Sequence, residues 1–149
     1  MRNFKKIVSG VVCTVGLLAG AEPPAEVRTK VFELPPEQGG TQFRGQGLEV
    51  GDCVMFRAGH QRDPAKLTLH SDGRIHFDAV VRSEDSNDEF YIQFAAYDRN
   101  GHFLFKYYPA QSPTMPRSSD MGWHIRNGKF DPVFFESVEK ITWSSSGCH

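Results

Sequence analysis

The stretch that decides the fold is KLTLHSDGRIHFDAVVR, residues 66–82. Apolar residues alternate with polar ones on both sides of a central turn, at Leu67 and Leu69 before it and at Ile75, Phe77 and Ala79 after it. This period of two is typical of strands that bury one face. Pairing Leu69 with Ile75 requires a three-residue loop, in which Gly73 takes the left-handed conformation that follows a type I turn. The stretch therefore predicts a β-hairpin with a fixed register.

Short β-like runs separated by turn residues continue along the chain. Residues 89–108 predict a second hairpin, whose first strand is apolar on both faces, as is typical of a central strand. Asp131 as a cap and Pro132 at the first helical position predict a short helix, and residues 141–144 predict a last strand. We expect an all-β chain folded as an antiparallel β-sandwich, with one short helix before the last strand.

The N-terminus has the three parts of an export signal. It begins with basic residues, continues with an apolar run at residues 7–18 that is too short to span a bilayer, and ends in the small residues Ala19-Gly20-Ala21. We expect residues 1–21 to be a cleaved signal peptide and the mature protein to be secreted, either extracellular or periplasmic. Residues 22–40 are rich in Pro and Gly and predict a tether with one edge strand within Val27–Leu34, which leaves residues 41–149 as the domain.

Charge disfavours two classes of partner. Three of the 17 basic residues lie in the signal, so 14 basic and 18 acidic side chains remain and the formal charge of the mature chain is −4. We expect neither nucleic-acid binding nor membrane insertion, because the mature chain is acidic and no later apolar segment reaches about 20 residues. The chain has no cofactor motif, and we expect no cofactor.

Two of the three cysteines remain after cleavage, Cys53 and Cys148. An even number of cysteines in an oxidising compartment favours a disulfide over two buried thiols. The bridge would connect an early strand to the end of the chain.

Four motifs in this order resemble a family of small secreted bacterial β-sandwich domains of unknown function. They are Gly51-Asp52-Cys53-x-Met55-Phe56, Leu67-x-Leu69-x-x-Asp72-Gly73-x-x-x-Phe77-x-Ala79, Tyr97-Asp98-x-x-Gly101 and Phe130-Asp131-Pro132-x-x-Phe135, followed by a terminal cysteine. The resemblance covers about residues 41–149. It implies a fold and no activity, since the motifs consist of turns, a helix cap and a cysteine.

The acidic segment at residues 83–89 is a weak candidate for calcium. Glu84, Asp85, Asn87 and Asp88 offer oxygen ligands, which Ca²⁺ prefers, but EF-hand spacing is absent. The alternative is a solvated acidic loop, so the sequence predicts no metal site.

Histidines supply a candidate for acid-base chemistry. His76 is two residues before Asp78 and would share its strand face, and His124 could join them. An imidazole oriented by a carboxylate is what a general base needs. The alternative is that these are solvent-facing histidines, because no metalloprotease or serine-hydrolase motif accompanies them.

Aromatic residues supply a candidate for binding. Tyr91, Tyr97, Tyr107 and Trp123 could form a platform on which sugar rings stack. The alternative is that they belong to the core. The Pro-containing loop 109–122 is long enough to be a recognition element.

The function favoured by these features is a secreted, non-catalytic binding module for an extracellular glycan or protein surface, with Tyr91, Tyr97, Tyr107 and Trp123 as the ligand contacts and no catalytic residue. One alternative is a small secreted hydrolase that uses His76, Asp78 and His124. A second is a secreted inhibitor or effector that presents the 109–122 loop to a partner.

Overall fold

The computed structural model describes residues 20–34, 43–44, 46–57 and 63–149. Most of the predicted signal peptide and residues 35–40 of the predicted tether lie outside these ranges. Within the described residues, no helix is long and apolar enough to cross a membrane.

Nearly all of the regular structure is β. The elements in chain order are β1 (Thr29–Glu33), β2 (Phe43–Arg44), β3 (Gly47–Val50), β4 (Cys53–Phe56), β5 (Lys66–His70), β6 (Arg74–Ser83), β7 (Phe90–Tyr97), β8 (Phe103–Tyr107), β9 (Met121–Lys129), a 3-10 helix (Pro132–Ser137) and β10 (Lys140–Cys148).

The strands form two sheets, and β6 organises the larger one. On one side β6 pairs with β9, and on the other it pairs first with β5 and then with β4. The order of the sheet is β1-β5-β6-β4-β3-β2, with β9 branching from β6, and the paired strands are antiparallel. The smaller sheet has the order β10-β7-β8, so β7 is central, as predicted.

The two sheets pack face to face around aromatic side chains. Phe77 of β6 lies 5.4 Å from Phe94 of β7 and 6.4 Å from Trp143 of β10, measured between ring centroids. Alternate residues of β6 are buried in this core, which is the one-sided pattern expected for a strand in a sandwich. The predicted antiparallel β-sandwich is confirmed.

The predicted 66–82 hairpin has the expected register. Leu69 pairs with Ile75 and Leu67 with Phe77 across a three-residue loop. Gly73 has φ of +87° and its N–H donates to the carbonyl of His70 (2.9 Å), as the loop requires.

The predicted cap and disulfide are also present. The carboxylate of Asp131 accepts a hydrogen bond from the Val133 N–H (3.0 Å) at the start of the 3-10 helix. The sulfur atoms of Cys53 and Cys148 are bonded, which joins β4 to the end of β10.

The structure corrects the assignment of two segments. Residues 121–122 belong to β9, a nine-residue strand that the sequence did not predict, and are not part of a loop. The predicted edge strand is present as β1, which pairs with β5 at the edge of the larger sheet, and Leu34 after it is fully buried. Part of the 22–40 segment therefore belongs to the sandwich and is not a tether.

Candidate functional site

A carboxylate that contacts both a histidine and an arginine lies on the outward face of the larger sheet. Asp78 on β6 is directly opposite His124 on β9, and the Asp78 Oδ1 atom is 2.6 Å from the His124 Nδ1 atom. The same oxygen accepts a hydrogen bond from Arg126 at 2.5 Å. Arg126 also donates to the carbonyls of Phe77 and Ile125, which fixes its guanidinium against the strands. Asp78 is thus held in one orientation by side chains of the neighbouring strand.

The charges around Asp78 favour its ionised form. Partial burial alone would raise the pKa of Asp78, but hydrogen bonds from Arg126 and His124, together with their charges, lower it below the ordinary aspartate value. The contact with Asp78 engages the Nδ1 atom of the His124 imidazole, and the other ring nitrogen, Nε2, lies next to Gly122. This is the arrangement that orients a histidine for hydrogen bonding or proton transfer.

A shallow pocket of about 300 Å³ adjoins the Asp78–His124 pair. Its lining residues are Asp63, Pro64, Lys66, Asp78, Ala79, Val80 and His124. Lys66 reaches it because β5 pairs with β6 so that Lys66 is opposite Asp78. On the far side of Lys66, its ammonium is 4.0 Å from the carboxylate of Glu33 on β1. Acidic and basic side chains therefore alternate in one row across four strands.

Two further histidines meet on this face. The Nε2 atom of His70 is 3.1 Å from the Nδ1 atom of His76, and the ring centroids are 4.3 Å apart in an edge-on arrangement. Partial burial lowers the pKa of the His76 imidazole, and the positive charges of His70, Arg126 and Arg74 lower it further. Burial and these neighbouring positive charges therefore disfavour the charged form of the His76 imidazole.

The structure brings together two of the three residues proposed for acid-base chemistry. Asp78 and His124 are in contact, although 46 positions separate them in the sequence. His76 shares their face, but its imidazole hydrogen-bonds to His70. Lys66 and Arg126 were missed. Lys66 could have been found from the register of the first hairpin, whereas Arg126 required knowledge of β9.

The four aromatic residues predicted as a binding platform do not share a surface. Tyr91 and Tyr97 lie on the outward face of the smaller sheet but six residues apart on one strand, about 20 Å. Tyr107 is directly opposite Phe94 and stacks on it, which turns the tyrosine toward the core. Trp123 is 1% exposed and packs against Phe77. The alternation of side chains along the strands thus directs Tyr107 and Trp123 toward the core.

Tyr91 has neighbours of its own. Its ring stacks on His149 with centroids 4.8 Å apart, and its hydroxyl donates to the carboxylate of Glu89 at 3.1 Å. This hydrogen bond and partial desolvation raise the pKa of the Tyr91 hydroxyl. Tyr91 is therefore held in place by its own strand and the end of the chain.

The acidic segment uses its oxygens separately. Asp88 accepts a hydrogen bond from Ser83 (2.5 Å), and Glu84 accepts one from Ser118 (2.9 Å). Among the described residues, the only three His, Cys, Asp or Glu side chains whose ligand atoms lie within 4.8 Å of one another are Cys53, Asp88 and Cys148. Two of these form the disulfide. The carboxylates that the sequence suggested for calcium therefore do not converge on one point.

The 109–122 loop is fixed to the sandwich at several points. Ser112 accepts a hydrogen bond from the Phe90 N–H (2.8 Å), and Met115 is fully buried. Met115 and Asp88 form a β-bridge, and the Ser118 N–H donates to the Ser83 carbonyl at 2.8 Å. These contacts make the segment a cover for one end of the sandwich, a role that the prediction of a recognition loop did not include.

Comparison of the chain with known proteins identifies a family whose function is unknown. Residues 66–148 match a family of unknown function (DUF6294). No curated protein and no solved structure matches the chain. The match covers the first hairpin, the smaller sheet and the pocket residues from Lys66 onward, but not Asp63 and Pro64. The resemblance inferred from the sequence motifs is confirmed as a family of unknown function.

Proposed function

The chain belongs to the family of unknown function DUF6294, and we propose that it is a secreted, non-catalytic module that binds an extracellular glycan. The binding site is the pocket beside Asp78 and His124 on the outward face of the larger sheet. This location replaces the aromatic platform that the sequence suggested. The observation that carries the proposal is the pocket itself, which lies where Lys66, Asp78 and His124 meet in one row.

The chemistry of the pocket suits a sugar. Sugar hydroxyls both donate and accept hydrogen bonds, and the pocket offers carboxylate acceptors at Asp63 and Asp78 and a donor at Lys66. Pro64 and Val80 supply apolar contact for the C–H faces of a ring. A volume of about 300 Å³ is at the lower end of ligand pockets, which range from about 300 to 1,000 Å³. One or two sugar residues is the expected size of the ligand.

The site is organised before a ligand arrives. Asp78 is held by Arg126 and His124, both on β9, and it lies on a strand that is paired on both sides. Ordering side chains on binding costs about 0.5–1.5 kcal/mol for each flexible side chain. Because Asp78 and His124 are already fixed by each other, a ligand avoids part of that cost.

Export from a bacterial cell is part of the proposal. Its support is the basic and apolar N-terminus in the sequence and the disulfide between Cys53 and Cys148, a type of bond that persists in oxidising compartments. A glycan-binding module in that location would meet polysaccharides of the cell surface or the medium.

A small hydrolase is the second candidate, and one distance favours it. The 2.6 Å contact between Asp78 and His124 is the geometry in which a carboxylate orients a general base. In that case the Nε2 atom of His124 would accept the proton of a water or substrate hydroxyl in the pocket.

The experiment compares two Asp–His pairs of the same protein. Asp98 and His102 also form a pair, with the His102 Nδ1 atom 3.0 Å from the Asp98 carboxylate, but they lie in the turn between β7 and β8. Retention would be measured on chitin, cellulose, peptidoglycan and a printed oligosaccharide array. We expect Asp78→Asn and His124→Ala to weaken retention on the glycan that captures the wild type, and Asp98→Asn and His102→Ala to leave it unchanged.

Two results would overturn the proposal. One is a wild-type protein that no glycan on the array retains. The other is turnover of p-nitrophenyl acetate, phosphate or glycosides that exceeds the buffer rate and is lost in His124→Ala, which would establish the hydrolase instead. Retention that is lost only when the 109–122 loop is altered would favour the inhibitor or effector.

A further inference from the structure

His70 and His76 form a side-chain pair that the proposed glycan site does not use. They lie on β5 and β6, on the outward face of the hairpin, and both are partly buried. The Nε2 atom of His70 and the Nδ1 atom of His76 are 3.1 Å apart. We propose that these two nitrogens form a chelating site for a divalent transition-metal ion such as Zn²⁺ or Cu²⁺.

The spacing of the nitrogens fits two ligands of one metal ion. Zinc binds histidine nitrogen at about 2.0–2.1 Å, so two imidazoles in a tetrahedral site are about 3.3 Å apart and in a square-planar site about 2.9 Å apart. The observed 3.1 Å lies between these values. In the metal-free pair one ring donates its N–H to the other. Metal binding requires rotation about χ2 that turns both lone pairs toward a common point, in place of that hydrogen bond.

Protons balance when a metal ion binds. Each neutral imidazole carries one proton, and the metal ion needs a free lone pair at His70 Nε2 and at His76 Nδ1. The ring that donates in the metal-free pair moves its proton to its other nitrogen by exchange with water. Both rings then carry their protons on the far side, and neither a thiol nor a redox step takes part.

Two arginines lie near the pair, and each contacts a carboxylate. Arg74 precedes His76 on the strand, and its guanidinium is 2.7 Å from the carboxylate of Asp72. Arg126 is on the neighbouring strand β9 and is paired with Asp78 at 2.5 Å. An arriving dication therefore meets two guanidinium groups that each have a carboxylate partner.

The backbone beneath the pair is well defined. Thr68 is directly opposite His76, which places His70 on the diagonal, two residues further along β5. Diagonal neighbours on an antiparallel pair lie within reach of long side chains. The three-residue loop that ends at Gly73 fixes this register. The site is consequently built on paired strands, which hold metal ligands more precisely than a loop does.

The ligand set selects the class of ion. Imidazole suits Zn²⁺, Cu²⁺ and Ni²⁺, whereas Ca²⁺ and Mg²⁺ prefer oxygen ligands. Two protein ligands leave the remaining positions to water or to an outside ligand. The pair therefore offers an open site whose binding is expected to be reversible.

The test is metal titration of the untagged, disulfide-bonded protein, with Zn²⁺ and Cu²⁺ measured by calorimetry and Ca²⁺ as the comparison ion. We expect the wild type to bind one Zn²⁺ or Cu²⁺ at this pair, and His70→Ala and His76→Ala each to weaken that binding by about tenfold or more. His102→Ala is the matched control, because His102 pairs with a carboxylate in an exposed turn. The His102→Ala variant should bind Zn²⁺ and Cu²⁺ with the same affinity as the wild type.

A spectroscopic measurement separates ligation from a structural role. Long-range ¹H–¹⁵N spectra should show that Zn²⁺ perturbs the Nε2 resonance of His70 and the Nδ1 resonance of His76, and leaves His102 unchanged. The proposal is overturned if His70→Ala and His76→Ala fold and bind Zn²⁺ and Cu²⁺ like the wild type, if wild type binds neither ion, or if the perturbed nitrogens belong to His124. Retention on a glycan enters none of these measurements, so this proposal and the glycan proposal fail independently.

Discussion

Replacing Gly73 with alanine tests the packing of the first hairpin against the chain before the 3-10 helix. Gly73 and Gly101 both have positive φ, +87° and +82°. They differ in their surroundings. A Cβ atom at Gly73 would lie 2.7 Å from the carbonyl oxygen of Phe130 and 3.2 Å from the ring of Pro132, whereas at Gly101 no atom lies within 4 Å. Gly101→Ala is therefore a control that carries the same backbone strain without the collision.

The expected losses of stability follow from the positive φ at both glycines and from the collision at Gly73 alone. A non-glycine residue in the left-handed region costs about 1–2 kcal/mol, and the lower entropy of the unfolded alanine chain returns about 0.4–1 kcal/mol. Gly101→Ala should thus destabilise the protein by about 1 kcal/mol. Gly73→Ala adds a collision with backbone, and overpacking of this kind costs about 1–3 kcal/mol more. The Phe130 N–H also donates to the Gly73 carbonyl at 2.9 Å, so moving Phe130 away strains that hydrogen bond.

Urea titration of the wild type and both variants measures the difference. We expect Gly73→Ala to lose about 2–4 kcal/mol of unfolding free energy and Gly101→Ala about 1 kcal/mol, with equal m-values. Equal losses for the two variants would refute the close approach of Phe130 to Gly73. No loss for either variant would refute the left-handed conformation at both turns.

Three further predictions concern other parts of the molecule. Removing the disulfide with Cys53→Ala and Cys148→Ala together should cost about 2–5 kcal/mol, since bridging a loop of about 100 residues contributes about 4.7 kcal/mol in the chain-entropy estimate; an unchanged urea midpoint would contradict it. Asp78→Asn should lower stability by under about 1 kcal/mol near neutral pH, because the ion pairs are partly exposed. The pKa of Asp78 is lowered in the folded state, so this contribution is present above the ordinary aspartate pKa and disappears as the pH falls through the folded value. In urea titrations, the unfolding free energies of wild type and variant should therefore differ at neutral pH and converge in acid. A difference that widens in acid would contradict this. Trp123→Ala should cost about 3–5 kcal/mol, as for other buried tryptophans, and loss of its near-ultraviolet circular dichroism without loss of stability would show that the indole is not part of the core.

The first hairpin could be predicted because two independent signals agree. The turn residues fix a three-residue loop, and that loop places Leu67 and Leu69 on the same face as Ile75 and Phe77. A shift by one residue would have moved every apolar side chain to the solvent face. The short helix was predictable for a similar reason, since Asp131 caps it and Pro132 begins it.

Strand β9 could not be predicted in the same way. Only Met121, Trp123 and Ile125 follow the apolar alternation, while Gly122 and Gly128 weaken the local preference for a strand. A β-bulge between β6 and β9 further interrupts the period of two. Pairing with β6 overrides this weak local signal, and that pairing is a tertiary interaction.

The His70–His76 pair could be predicted from the sequence, whereas the Asp78–His124 pair could not, because the second depends on the pairing of β9 with β6. His70 and His76 belong to one hairpin, so the predicted register already placed them as diagonal neighbours on one face. Asp78 and His124 meet only because β9 pairs with β6. Two of the four aromatic residues suggested as a platform lie inward. Tyr107 is on β8, whose register was open in the sequence, and Trp123 is on β9, which was not predicted.

The two Asp–His pairs differ in what holds the carboxylate in place. Asp98 accepts hydrogen bonds from the N–H groups of Asn100 and His102 as well as from the His102 ring. Those backbone hydrogen bonds, the one from His102 foremost, and the ring of His102 lower the pKa of Asp98, so the turn itself accounts for a carboxylate at that position. Asp78 lies within a regular strand and contacts the side chains of His124 and Arg126 beside a pocket. Strand formation alone does not require an ion pair there, and the proposed glycan ligand would give the pair a role that the fold does not.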